Sequence, residues 1–201
     1  MHLLIHQLGS DDMETQVTVK WLLAFDKKIQ ENKTYLTDLD TPIGDGDHGA
    51  NMARGMEFVR KALEEKPPKT AAEALKLCAM QLLSHVGGAS GPLYGSAFLG
   101  MSMHANDSLP DMLQCGLDQI QKRGHAELGE KTMVDFWSPA IEQLRRGELT
   151  CDSIKALVDA TAPLRATKGR ASYTGERSCG HIDPGAASSG MLFCALLEQG
   201  V

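Results

Sequence analysis

Three aspartates crowd into eight residues of the stretch "LDTPIGDGDHGANM", at Asp40, Asp45 and Asp47, with Gly44, Gly46 and Gly49 between and after them. Carboxylates packed this closely repel one another unless a cation sits among them. A hard divalent ion such as Mg²⁺ takes oxygen ligands and keeps open positions for phosphate oxygens. The glycines let the backbone fold tightly around such an ion. Asp47 also falls where a helix begins, and free N–H groups there attract an anion. The same spacing suits a solvated acidic capping loop. The EF-hand pattern for Ca²⁺ fails, because a loop counted from Asp45 has Met56 rather than glutamate at its twelfth position. His48 reads equally as a capping or core histidine and as a phosphate contact.

Three further segments have the residue types of a ligand site. "GGASGPLYGS" (87–96) places small residues where backbone can approach a ligand closely, with Ser90 as a hydrogen-bond donor. "TKGRASYTGERSCGHIDPGAASSG" (167–190) carries Lys168, Arg170 and Arg177, then a helix start at Asp183-Pro184-Gly185. Cations beside a helix N-terminus suit a polyphosphate. "GHAELGEKTM" (124–133) imitates a P-loop, but Glu130 is inserted before Lys131-Thr132 and no strand precedes it, so a P-loop NTPase is rejected.

The elements that must hold these segments read as helices. Leu and Ala number 46 against 14 for Val and Ile, a balance that favours helix over strand. Val17, Trp21, Phe25 and Ile29 recur at helical spacing, with Asp11 or Asp12 as the cap; Met52, Met56, Val59 and Leu63 repeat it up to Pro67-Pro68. Thr70 with Glu73 forms a capping box for a helix stopped by Gly87-Gly88. Further helices are expected over Leu93–His104, from Ser108 to Gly124, from Thr132 through Leu144 with Pro139 near its first turns or kinking it, from Thr150 with a kink at Pro163, and from Pro184 to about Gln199. The expected fold is all-α, one domain of about eight helices, with 1–10 a loose N-terminal extension and 11–201 the domain. The segments left outside the helices are 36–51, 87–95, 124–133 and 167–190.

The chain of 201 residues has a net charge of −6, which argues against a nucleic-acid or anionic-membrane partner. No apolar run reaches the length of a membrane span. Five scattered cysteines without a CxxC pair suggest reduced thiols and a cytoplasmic location.

Together, "IGDGDHGANM", "GGASGPLYG", "GEKTMVD" and "KGRASYTGERSCGHIDPGAASS" resemble, in order, the signature blocks of the nucleotide-binding L-subunit family (DhaL, Dak2) of dihydroxyacetone kinases. The resemblance implies an eight-helix antiparallel barrel with ADP held at one end by two Mg²⁺ ions on Asp40, Asp45 and Asp47. It implies phosphate-side contacts at His48 and Asn51, glycine-loop contacts at Ala89 and Ser90, and an adenine-side block at Gly129, Thr132 and Met133. It adds nucleotide contacts at Arg177 and the Asp183-Pro184-Gly185 turn, with Arg177 also a candidate to stabilise the transferring group. A separate chain of this size resembles the subunit of the phosphotransferase-system kinase. There bound ADP, cycling with ATP, relays a phosphoryl group from a phosphohistidine on an M subunit to dihydroxyacetone on a K subunit. Two alternatives stand beside it: an L-like module that binds nucleotide and a partner without turnover, and a metal-dependent phosphohydrolase.

Overall fold

The structure, a computed structural model, describes residues 2–200, with side chains from residue 14 onward. Its helices are α1 (His2–Glu31), α2 (Lys33–Asp40), α3 (His48–Glu65), α4 (Ala71–His85), α5 (Ser90–Met103), α6 (Leu109–Gly124), α7 (Val134–Arg145), α8 (Cys151–Asp159) and α9 (Pro184–Leu197). A 3-10 helix, Arg170–Ser178, precedes α9, and no strand occurs among the described residues. The all-α expectation holds. The cap expected at Asp11 or Asp12 falls inside α1, which begins at His2, and residues 2–10 of the expected extension are helical.

The sequence signals and the helix ends agree where a side chain does the capping. Thr70 Oγ1 accepts the Glu73 N–H, Ser108 accepts that of Asp111, and Asp183 Oδ2 accepts that of Ala186 at 2.7 Å, followed by Pro184 in the first turn. Thr150 and Ser153 form a full capping box. Four further expectations change. α2 stands where the sequence suggests loop, because eight residues with few apolar positions show no period. It follows α1 after a break at Asn32 and buries Leu36 and Asp40. α5 starts at Ser90 rather than Leu93, so most of the glycine-rich segment is helix. Pro163 kinks nothing, since α8 ends at Asp159. Thr132 lies one residue before the N-cap of α7, where its Oγ1 accepts the Val134 N–H at 3.2 Å; Pro139 sits in the second turn, where it removes one hydrogen bond.

The helices close into a ring. α1 packs on α3, then α3 on α4, α4 on α5, α5 on α6, α6 on α7, α7 on α9, and α9 returns to α1. α2 lies against α3 and α9, and α8 against α7 and α9. The closing seam is tied by Trp21 Nε1–H to the Leu192 carbonyl at 2.9 Å and by Lys28 to Glu198 at 2.6 Å. Inside, Trp21, Phe25, Tyr94, Phe98, Phe136, Trp137 and Phe193 are buried, with Phe193 meeting Phe136 and Trp137 edge-on at 5.2 and 5.0 Å. The turn joining α4 to α5 is so tight that a Cβ at Gly91 would overlap the Val86 carbonyl oxygen.

From α2 onward, neighbouring helices are expected to run antiparallel, which would bring alternate connections to the same end. Those after α2, α4, α6 and α8 carry the aspartates, the glycine-rich turn, Lys131-Thr132-Met133 and the basic segment, and all four line one cavity.

Candidate functional site

Asp40 ends α2 and is buried. Its carbonyl accepts the N–H groups of Ile43 and Gly44, and its Oδ2 accepts those of Asp47 and His48 at 3.0 and 3.2 Å. The loop therefore folds back over its own first carboxylate. This fold needs Gly44, where a Cβ would overlap Asp40 Oδ1, and Gly46, with φ of 71°. One oxygen from each of Asp40, Asp45 and Asp47 comes within 4.8 Å of the others. An all-oxygen set of three carboxylates, two of them solvent-accessible, fits hard divalent ions. Arg170 Nη1 pairs with Asp45 Oδ2 at 2.9 Å, bringing a cation to the same place.

The aspartates face a cavity of about 160 Å³ whose other walls are 87–90, 131–133, 168–171 and 183–185. α3, α5 and α9 all begin at this cavity, at His48, Ser90 and Pro184. Helix N-termini present unpaired N–H groups and positive potential, which suit an anion. A second cavity of about 280 Å³ shares Ala89, Leu93, Thr132, Met133, Lys168 and Gly169 with the first, and continues between Pro92, Ile120, Ala126 and Val134. An anionic end with an apolar extension suits a ligand that joins a phosphate to a flat hydrophobic group.

Three titratable groups on the wall are shifted. Burial pushes His48 down to about 4, so its ring is neutral at pH 7. Burial pushes the Asp183 carboxyl up to about 7, against the Ala186 N–H and the nearby Lys131 charge. Burial also lowers Lys131, whose Nζ donates to the carbonyls of Thr161, Ala162 and Leu164 at 2.7, 3.0 and 3.1 Å. With all three protons spent on backbone, this lysine fixes the 131–133 wall to the turn after α8. It does not act as a P-loop lysine, and the rejection of that motif agrees with the absence of a strand among the described residues.

Of the residues singled out from sequence, Asp40, Asp45, Asp47, His48, Ala89, Ser90, Thr132, Met133, Asp183, Pro184 and Gly185 all meet at the cavity. Asn51, Gly129 and Arg177 do not line it. Asn51 is buried within α3, with Oδ1 accepting from Arg54 at 2.7 Å. Gly129, with φ of 87°, donates its N–H to Asp135. Arg177 is exposed at the far end of the 3-10 helix, beyond the break at Gly175, while Arg170 at the near end reaches the aspartates. Sequence reasoning grouped Arg170 with Lys168 and Arg177 but did not select it, and it missed Ile43, Leu93 and Lys131 as wall residues. Nothing in a non-periodic segment marks which arginine faces inward.

Residues 42–198 match the DAK2 domain. The ADP-binding subunit DhaL of the PTS-dependent dihydroxyacetone kinase of Lactococcus lactis subsp. lactis (strain IL1403) is 57% identical over 183 residues, covering 90% of this chain and 95% of that relative. The ADP-binding subunit DhaL of the PEP-dependent dihydroxyacetone kinase 1 of Listeria innocua serovar 6a (strain ATCC BAA-680 / CLIP 11262) is 49% identical over 189 residues, covering 91% of this chain and 96% of the relative. The crystal structure of the dihydroxyacetone kinase from C. freundii in complex with AMP-PNP and Mg²⁺ shares the fold, with a TM-score of 0.70 at 24% identity over 92% of this chain and 33% of that one. Among the described residues no helix is long and apolar enough to cross a membrane.

Proposed function

The chain belongs to the DAK2 domain family, and from that membership we propose that it is the ADP-binding subunit of a phosphotransferase-system-dependent dihydroxyacetone kinase. The observation that carries the reading is the meeting of three carboxylates within 4.8 Å with three helix N-termini and Arg170 around one cavity. When bound, two Mg²⁺ ions would neutralise phosphate charge, and ADP would accept a phosphoryl group from a phosphohistidine on an M subunit and, as ATP, give it to dihydroxyacetone on a K subunit.

The chain's own residues have distinct tasks. Asp40, Asp45 and Asp47 hold the ions, with Asp40 fixed by the two N–H groups it accepts. The positive ends of α3, α5 and α9 would face the phosphates at the cavity, and Arg170, paired with Asp45, would add positive charge near the transferring group. Leu93, Ile120, Met133 and Val134 exclude water from the base end. Within the described site no side chain stands out as a base for an acceptor hydroxyl, so that group is assigned to the K subunit. Names of the relatives and the AMP-PNP and Mg²⁺ of the C. freundii enzyme support this reading.

Reconstitution tests it. Purified chain, mixed with K and M subunits and a phosphotransferase-system phosphate source, is expected to form dihydroxyacetone phosphate without bulk ATP. Phosphate release from ATP by the chain alone would favour the phosphohydrolase instead.

A further inference from the structure

The turn at 160–164, which follows α8, reaches two walls of the cavity without lining it. Thr161 is buried there. Its hydroxyl donates to the Val158 carbonyl at 2.7 Å and accepts the Asp183 N–H at 3.0 Å. Its carbonyl accepts from Lys131 Nζ at 2.7 Å. The carbonyl of Ala162 accepts from Lys131 at 3.0 Å and from the Gly180 N–H at 2.8 Å. The turn is therefore bonded on one side to the 131–133 wall and on the other to the segment that opens α9.

Each of these bonds runs one way. A backbone N–H or an ammonium can only donate, and a carbonyl can only accept. The one hydroxyl proton of Thr161 goes to Val158, which leaves lone pairs on its oxygen for Asp183. Asp183 is the N-cap of α9: its Oδ2 accepts the Ala186 N–H at 2.7 Å, and Pro184 after it has no N–H. Asp183, Pro184 and Gly185 all line the cavity. Removing the Thr161 oxygen strands a buried N–H at this cap, and such a loss costs more than the bond itself contributes.

We infer that Thr161 is a positioning residue for the phosphate end of the cavity: its hydroxyl holds the N-cap of α9 in place, while the carbonyls of the same turn hold the opposite wall through Lys131. One buried turn thereby sets the spacing between the start of α9 and the 131–133 wall, the two surfaces that a nucleotide would touch together. The tie stands on the hydrogen bonds alone. Its consequence for ligand binding rests on the nucleotide reading above.

The test starts from the full chain without metal or nucleotide. Residue-resolved amide exchange is expected to show the Asp183 N–H exchanging at least about tenfold more slowly than an exposed loop amide. Exchange as fast as an exposed amide overturns the tie, and this measurement needs no variant, so it decides even where a substitution fails to fold. Thr161→Val keeps the shape and removes the hydroxyl; Thr161→Ser keeps the hydroxyl. Calorimetric titration with inorganic pyrophosphate and Mg²⁺, and separately with ADP and Mg²⁺, reads the consequence. Thr161→Val is expected to weaken both probes by the same factor, about tenfold, and Thr161→Ser less than about twofold, because the phosphate end is common to the two probes. Unchanged affinity in Thr161→Val, a loss confined to ADP, or an equal loss in Thr161→Ser overturns the positioning role. Failure of the unsubstituted chain to bind either probe would sink the nucleotide reading instead, and the exchange of Asp183 still decides the tie.

Discussion

Arg170 and Arg177 stand at the two ends of one 3-10 helix, and the positive-φ break at Gly175 turns them apart. Arg170 pairs with Asp45; Arg177 is exposed. Arg170→Gln is expected to weaken Mg-dependent ADP binding about tenfold, the scale of a charge-assisted contact, and Arg177→Gln to change it less than about twofold. Fluorescence titration checks both, and the reverse order would return the role to Arg177. The buried titratable groups make a second prediction for the metal-free chain. His48, depressed to about 4, contributes stability that is present above pH 6.5 and lost as pH falls toward 4, about 3 kcal/mol by linkage. Asp183, raised to about 7, contributes stability present below pH 3.8 and lost as pH rises toward 7. The two slopes oppose one another between about pH 4 and 6.5. Urea melts across that range should be nearly flat for the unsubstituted chain and fall with rising pH in His48→Gln; a rise would contradict the Asp183 assignment. At this scale the aspartates were legible because three carboxylates and three glycines in one short stretch have few uses. The His48 partners were not, since Ser90 and Ser188 lie 42 and 140 residues away in sequence.

The turn from α4 into α5 is tight, and glycine makes it possible. Gly91→Ala would drive a Cβ into the Val86 carbonyl, backbone that cannot swing aside. Overpacking of this kind costs about 1–3 kcal/mol. The loss should appear in thermal melts, and an unchanged melting temperature would contradict the packing. Lys131 is the corresponding device on the opposite wall. Lys131→Met keeps the stem but strips three carbonyls of their donor. It should destabilise the chain by about 2 kcal/mol and loosen the 131–133 wall, read as faster hydrogen exchange at 161–164. Helices long enough to repeat an apolar face, such as α3 and α6, could be read from spacing. α2 could not, and neither could the early start of α5, because Ser90 and Gly91 carry turn-like composition while adopting helix.

Across the whole molecule, antiparallel succession from α2 onward would bring every second connection to the same end, and four segments separated by more than a hundred residues meet in one cavity. This was foreseeable once helices of alternating direction were assumed, which is why the gathering of the site could be read from sequence while its inward-facing side chains could not. The ring is sealed by α1 on α9 through Trp21 and Leu192. The central claim concerns what the gathered end holds: the three carboxylates bind divalent ions, and those ions bind a diphosphate. Native mass spectrometry of the chain with ADP, with Mg²⁺ or with a chelator, and of Asp45→Asn under the same conditions, tests it most directly. The expected result is ADP retained with Mg²⁺ by the unsubstituted chain only, with the far-UV helical signal of Asp45→Asn intact. ADP kept equally well in chelator, or by Asp45→Asn, would contradict it.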